Sequence, residues 1–567
     1  MPTTSCIFEG LNESQKMAVA AAEGPVLIVA GPGTGKTLTI VRRIAYLIQQ
    51  GVKPETILAV TFTNRSAREM KERADALLGN NSGNIFIGTF HLLGLKIIKD
   101  ALSDNFVLYN RDEQISLIKP LLKDTNIKPQ EAIERISKVK NFLEDANDEI
   151  GKIYENYQSA LIEKSALDFD DLILKPIEML SNLHSNIPSK YKNRFNYIMV
   201  DEYQDINPAQ YRLLRLLTPD TGNLCVIGDS DQAIYAFRGA DMENFLDFEK
   251  DFKDTKRITL TENYRSTGII VSASGAMIKN NLKRIDKKLH PIKERGTAIT
   301  IISAPDDKAE GEIIVNEIEK RIGGTSHYQL YSSDLNKGEK TPTADSYAFS
   351  DFAVIYRTNA QARAIENAFL ASGVPYQVIG RGISKQSREI EDTILYMKSV
   401  ITPVGDISAH EQASLEEKLL TPSDIFDPRA EAVTLLTLHM AKGLEYRVVF
   451  IAGVEKGMIP YAIKKDNVDP VRSSYIKREC DLHGDLPVTE KASKEVDIEE
   501  ERRLFYVGMT RAREKLFLIR ARNRFLYGQR LTPEPSPFIR EIPESLIESR
   551  FVPDRIKTKK EKQMGLF

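Results

Sequence analysis

The most constraining stretch of the chain is Val26-Leu27-Ile28-Val29-Ala30-Gly31-Pro32-Gly33-Thr34-Gly35-Lys36-Thr37, an uncharged run that ends in a glycine-rich turn and opens into a helix. Five apolar residues in a row suit a strand covered on both faces, as in a parallel sheet. Gly31, Gly33 and Gly35 let backbone N–H groups turn inward around a polyphosphate; Lys36 supplies a cation and Thr37 a hydroxyl for Mg²⁺. The helix through Thr39, Val41 and Ile44 points its partial positive charge at the same anion. Ala30 stands where such loops usually begin with glycine, and the end of a strand asks only for a small residue. Ala30 to Thr37, including Pro32 and Thr34, is thus a candidate phosphate-binding loop in an α/β fold. Alone it says only that a nucleotide binds.

A chain of 567 residues is too long for one core, so several domains are expected. Cys6, Cys225 and Cys480 lie far apart without metal-type spacing, which favours a reducing compartment. The first ten residues lack a basic segment followed by an apolar core, and no run approaches a membrane span, so a cytoplasmic protein without membrane contact is expected. The formal net charge of −2 gives no global sign of nucleic-acid binding, which must come from local grooves.

Along the chain, a helix begins after Leu11 with Asn12 as a plausible cap, and Gln15 could turn its amide to a base edge or simply be solvated. Ile57 to Thr63 reads as a second strand, with a helix capped by Asn64 carrying Ala67, Met70, Ala74, Leu77 and Leu78. A third strand, Ile85 to Gly88, leads into Thr89-Phe90-His91. Hydroxyls and aromatics at the C-terminal ends of strands are where open α/β sheets hold ligands, although Phe62 and Phe90 could equally be core. From about Ala101 to Lys164 the pattern turns helical and charge-rich, which predicts an inserted helical subdomain. The α/β pattern resumes after Asp168-Phe169-Asp170-Asp171. A buried strand then delivers Asp201 to hold Mg²⁺ and Glu202 to orient or deprotonate the attacking water. Leu224 to Gly228 is a further strand, followed by Gln232, able to sense a γ-phosphate, and by Tyr235, Phe237 and Arg238. Tyr264 and Arg265 offer an aromatic for base stacking and a guanidinium for phosphate.

In this order the residues resemble the UvrD/Rep-type helicases of superfamily 1. The series comprises Gln15, the Gly31 to Thr37 loop, Thr61-Phe62-Thr63-Asn64, Gly88-Thr89-Phe90-His91, Asp201-Glu202-Tyr203-Gln204-Asp205, Gly228-Asp229-Ser230-Asp231-Gln232 and Asn263-Tyr264-Arg265-Ser266. It continues through Asp351 to Ala360, Thr437-Leu438-His439-Met440-Ala441-Lys442-Gly443-Leu444-Glu445 and Glu501 to Arg513, and covers about Leu11 to Ala521. The resemblance implies two RecA-like P-loop motor domains with parallel sheets that enclose ATP and Mg²⁺, single-stranded DNA lying across their tops. Gln15 would read adenine and Tyr264 stack on it; Lys36, Thr37, Asp201 and Glu202 would serve phosphate, metal and water. Gln232, Arg265 and Arg511 would surround the γ-phosphate, Arg511 as an arginine finger, with Glu445 at ribose or phosphate-linked water. Phe62, Asn64, Thr89, His91, Tyr235, Phe237, Arg238 and His439 would line the DNA track. The implied activity is a DNA-dependent ATPase and helicase of 3′ to 5′ polarity, active at single strands and junctions. A translocase that strips proteins but unwinds poorly is the alternative; intact Lys36, Asp201, Glu202 and Arg511 argue against a scaffold with a silent motor.

Residues 1–100 and 165–275 are expected to form the first motor domain, 101–164 the helical accessory subdomain, and 276–400 with 433–530 the second motor domain. Three departures from the family stand out. Phe237 replaces the usual tryptophan. Residues 401–432 are a short linker where family members carry a second accessory subdomain, and Tyr461 to Val496 is a polar insertion of unassigned role. Residues 531–567 read as a flexible tail. Its Gln563, Leu566 and Phe567 resemble a sliding-clamp docking peptide, or else end a frayed basic tail by chance.

Overall fold

The computed structural model describes residues 4–101, 106–144, 149–182, 186–192, 194–219, 222–323, 347–379, 430–462, 497–526 and 528–554. They divide into two compact units, split in sequence after Thr261. Most of the expected short linker, most of the polar insertion and the clamp-like peptide lie outside the described residues.

The first unit is built on a parallel sheet of six strands: β1 (Val26–Ala30), β2 (Ile57–Thr61), β3 (Phe86–Thr89), β4 (Tyr197–Val200), β5 (Leu224–Gly228) and β6 (Lys256–Leu260), ordered β3-β2-β4-β5-β1-β6. β1, β2 and β5 are buried along their whole length, as uncharged runs must be when helices cover both faces. The helix Lys36–Gln49 buries Ile40, Val41, Ile44, Leu47 and Ile48 at three- and four-residue spacing, and Asn64–Leu78 does the same with Ala67, Met70, Ala74 and Leu78. The second helix is capped by Thr63, whose hydroxyl accepts from Ser66 N–H, so Asn64 is its first helical residue and not the expected cap. Helices Arg111–Ile118, Pro129–Phe142 and Glu149–Glu163 enclose a separate core around Ile118, Ile133, Ile136, Ile153, Tyr157 and Leu161. A two-residue parallel pairing, Val107–Leu108 with Ala166–Leu167, closes the neck of this insert.

The second unit carries β7 (Ile299–Asp306), β8 (Phe352–Tyr356), β9 (Tyr376–Val378), β10 (Val433–Thr437), β11 (Tyr446–Ala452), β12 (Ala512–Leu526) and β13 (Ile547–Phe551), ordered β9-β10-β8-β11-β12-β7-β13 and parallel throughout. Gln529–Leu531 folds back antiparallel on the end of β12.

Two expected boundaries move. Tyr264, Arg265 and the helix Gly268–Ile278 belong to the second unit, not to a first domain reaching 275, because Glu262–Asn263 pairs with His290–Pro291 and the helix packs on Ile498–Met509. The segment from 531 is not a loose tail as far as residue 554: β13 adds a strand along β7, and Phe538 and Ile542 are buried.

Candidate nucleotide site and nucleic-acid track

The phosphate loop follows β1 at the C-terminal edge of its sheet, where ligands of open α/β folds bind. Gly33 and Gly35 have φ of +70° and +84°, the left-handed region that favours glycine. Thr34 holds the loop's shape by donating its hydroxyl to the Gly31 carbonyl at 2.8 Å. Gln15 closes the loop from outside: its Nε2 donates to the Thr34 carbonyl at 3.0 Å and its Oε1 accepts from Asn12 N–H. Its amide thus helps to fix the loop, a role that sequence reading had not assigned. A Cβ at position 35 would stand 2.8 Å from Gln15 Nε2, so the glycine admits this contact.

Lys36 opens the helix and extends its ammonium to Glu202 Oε1 at 3.0 Å, which brings the phosphate loop and the end of β4 together. Asp201 is buried, and its Oδ1 accepts the N–H of Glu202. Glu202 itself takes φ +51° and ψ 43°, rare for a side-chain-bearing residue. Gln232 sits in the short turn Ser230–Gln232 after β5 and donates Nε2 to Asp229 Oδ2 at 2.6 Å. The donor set suits ATP with Mg²⁺: a glycine cradle of backbone N–H groups, the Lys36 ammonium, the Thr37 hydroxyl and the Asp201 carboxylate.

In the same unit Phe62, at the end of β2, stacks on Tyr235 with ring centroids 4.9 Å apart, and Tyr235 leads to Phe237 at 6.0 Å. The Arg238 guanidinium lies 5.5 Å from both the Tyr235 and Phe237 rings, and Phe237 keeps 39% of its surface exposed. This row of faces with a cation over it is the pattern of a single-strand platform. Thr89, the last residue of β3, accepts the Leu92 N–H, and Asn64, the first residue of its helix, is largely buried. His91, in the first turn of the helix Phe90–Ala101 that follows β3, packs against Phe169 with centroids 4.2 Å apart, and burial lowers its pKa to about 4. Phe169 is 37% exposed and was missed as a candidate. The signal was its setting among three acids: Asp168 and Asp171 turn inward to the buried Lys140 ammonium, at 2.7 and 2.8 Å, while Asp170 takes the Asn141 amide.

The second unit gathers the remaining candidates. Arg265 Nε donates to Glu445 Oε2 at 2.5 Å, and Arg513 approaches Glu445 Oε1 at 3.9 Å. Burial would raise the Glu445 pKa, but Arg265, with Arg513 and Arg511, outweighs it and holds the carboxyl below its ordinary value. Arg513 is a cation at this cluster that sequence reading had not assigned. Tyr264 keeps 41% of its surface exposed, its hydroxyl donating to Glu262. Arg511 is only 2% exposed: Nε donates to the Val507 carbonyl, Nη1 to the Leu444 carbonyl and Nη2 to the Thr510 hydroxyl. His439 is half-buried in the turn after β10.

A phosphate loop on a parallel sheet, with an Asp-Glu pair meeting its lysine, defines a P-loop nucleotide hydrolase. The family model described as UvrD/REP helicase N-terminal domain matches residues 11–253, and that described as UvrD-like helicase C-terminal domain matches 258–411 and 407–523. The chain belongs to the UvrD/Rep helicase family. Relatives from Staphylococcus aureus (strain Mu50 / ATCC 700699) and Staphylococcus epidermidis (strain ATCC 12228 / FDA PCI 1200), both named ATP-dependent DNA helicase PcrA, are 32% identical to it. Each alignment runs over 690 positions and takes in 96% of this chain and 88% of the relative.

Proposed function

We propose that this UvrD/Rep-type chain, a DNA-dependent ATPase and helicase, moves 3′ to 5′ along single-stranded DNA and unwinds duplex in DNA repair or replication. The observation that carries the reading is the continuity of one short segment in the first unit. Gln232, hydrogen-bonded at the end of β5, is followed within six residues by Tyr235, Phe237 and Arg238, so this one segment would carry a change at the nucleotide to the aromatic row. Thr37 and Asp201 would hold Mg²⁺, which supplies charge neutralisation for the phosphates, and Lys36 the phosphates themselves. Glu202 would orient or accept a proton from the attacking water. Arg265 and Arg511 are the guanidinium groups proposed for the terminal phosphate.

The test is ATP hydrolysis by the purified protein with and without single-stranded DNA, followed by stopped-flow translocation on strands labelled at either end. No stimulation by DNA would sink the reading, and signal arriving at the 3′ end would reverse the polarity. A second reading, a translocase that displaces proteins and unwinds poorly, is supported by the alignments. They span more positions than this chain has residues, and the C-terminal family model matches in two pieces that meet at 407–411. Both suit a short form without most of the second accessory subdomain, which strand displacement measured beside translocation would expose. The C-terminal peptide of Gln563, Leu566 and Phe567 is proposed to dock on a sliding clamp.

A further inference from the structure

Gln204 lies in the short turn directly after the Asp201-Glu202 pair and has no exposed surface (0%). Its Oε1 accepts the backbone N–H of Asp229 at 2.9 Å; its Nε2 donates to Glu202 Oε2 and, at 3.1 Å, to Asp205 Oδ2. An amide can be turned over without changing its shape, but a backbone N–H can only donate. Asp229 therefore fixes which end is oxygen and obliges Nε2 to face the two carboxylates. Gly228 makes room for this arrangement: a Cβ there would stand 2.5 Å from Gln204 Oε1. Glu202 needs such support, because its backbone holds the left-handed conformation and its other oxygen is on the Lys36 ammonium. On the far side, Asp229 accepts the Gln232 amide through Oδ2, so a single buried glutamine joins Glu202 to the turn that carries Gln232.

We propose that Gln204 is a positioning residue for ATP hydrolysis, orienting the Glu202 carboxylate and tying it through Asp229 to Gln232. The proposal rests on the reading of Glu202 as the group that acts on the attacking water. Gln204→Glu preserves shape and the oxygen that faces Asp229, removes the donation to Glu202, and sets a like charge beside it. In the full chain, its DNA-stimulated kcat should fall roughly 10- to 100-fold, the loss expected for one hydrogen bond to a charged group. KM for ATP and affinity for single-stranded DNA should stay within about threefold of wild type, since the phosphate loop and the aromatic row are untouched. Gly228→Ala, whose Cβ would press on the amide at 2.5 Å and on the Phe245 ring at 2.9 Å, should give the same split between kcat and KM per folded molecule, and it decides the matter if Gln204→Glu does not fold. A glutamine that merely fills space would lower the unfolding temperature and leave kcat per folded molecule near wild type in the folded variants; that outcome overturns the proposal, as do equal changes in kcat and KM. Glu202→Gln, assayed alongside, separates the two readings. If it remains active, the role of Glu202 is what fails; if it is inactive while the Gln204 and Gly228 variants turn over normally, only the present inference fails.

Discussion

Arg511→Lys separates the two tasks the structure and the resemblance set for this residue. As observed, the guanidinium fork serves the Val507 carbonyl, the Leu444 carbonyl and the Thr510 hydroxyl at 2.9, 3.2 and 3.1 Å, all inside the second unit. A lysine keeps the charge but brings one ammonium, which reaches at most one of these acceptors and leaves two carbonyl or hydroxyl partners behind. At roughly 1.5 to 3 kcal/mol per hydrogen bond to a charged group, the loss is about 3 to 6 kcal/mol of stability, large beside the usual total but survivable. If Arg511 also meets the terminal phosphate, turnover per folded molecule should fall at least ~10²-fold, with nucleotide affinity nearly unchanged. Urea unfolding gives the first quantity. Single-turnover hydrolysis, normalised to the folded fraction, gives the second. A variant destabilised as stated but with turnover within tenfold of wild type would refute the finger and leave a structural arginine. A stability loss below about 1 kcal/mol would refute the energetic reading of the buried fork.

Three further outcomes follow from particular contacts. Because Glu202 competes for Lys36, Glu202→Gln should tighten nucleotide binding several-fold in a filter or fluorescence assay while turnover falls ~10²- to 10⁴-fold. His91, with its pKa lowered to about 4, is neutral at working pH, so its stability contribution is complete above the ordinary value of 6.5 and is lost as pH falls toward 4; His91→Gln should remove that acid sensitivity without altering the salt dependence of DNA binding. Burial, with Glu455 adding to it against Arg524, raises Glu310 to about 7, so the native state loses stability as pH rises from 4.5 through 7, and the advantage of Glu310→Gln over wild type in chemical unfolding should grow across that window.

How much of this was legible in the sequence varies with the kind of signal. The strand before the phosphate loop, the Asp-Glu strand and the helical insert announce themselves by uninterrupted apolar runs or by helical spacing, because burial on both faces or on one stripe leaves a pattern. β13 leaves none: it is an edge strand whose residues are nearly all exposed, so Ile547 to Phe551 has no alternation to read. The cap at Thr63 was missed because Thr63 and Asn64 are both competent, and only the backbone, extended at Thr63, decides between them. Gln15 and Arg511 show a different limit. The residue types were recognised as able to meet a base edge or a phosphate, but the hydrogen bonds to Thr34 and Leu444 depend on chain segments brought near by folding, and no spacing encodes them.

The helical insert of the first unit is held to its sheet by directed polar contacts as well as by apolar packing. Asn207, five residues beyond Glu202, caps the helix Pro208–Leu217 by accepting the Gln210 N–H. The same side chain donates to Asn141 Oδ1 at 2.6 Å, and Asn141 Nδ2 passes on to Asp170 Oδ1 at 2.9 Å. Asn141 belongs to the helix Pro129–Phe142, which also carries the buried Lys140 with its partners Asp168 and Asp171. Apolar side chains tolerate sliding, whereas these hydrogen bonds exist only at one register, and leaving a buried partner unpaired costs roughly 1 to 3 kcal/mol each time. The insert is thereby fixed in orientation to the segment that follows the Asp-Glu pair. Phe169, carried between those same buried acids, is fixed with it beside His91, so one polar network sets both the pose of the insert and an edge of the aromatic surface.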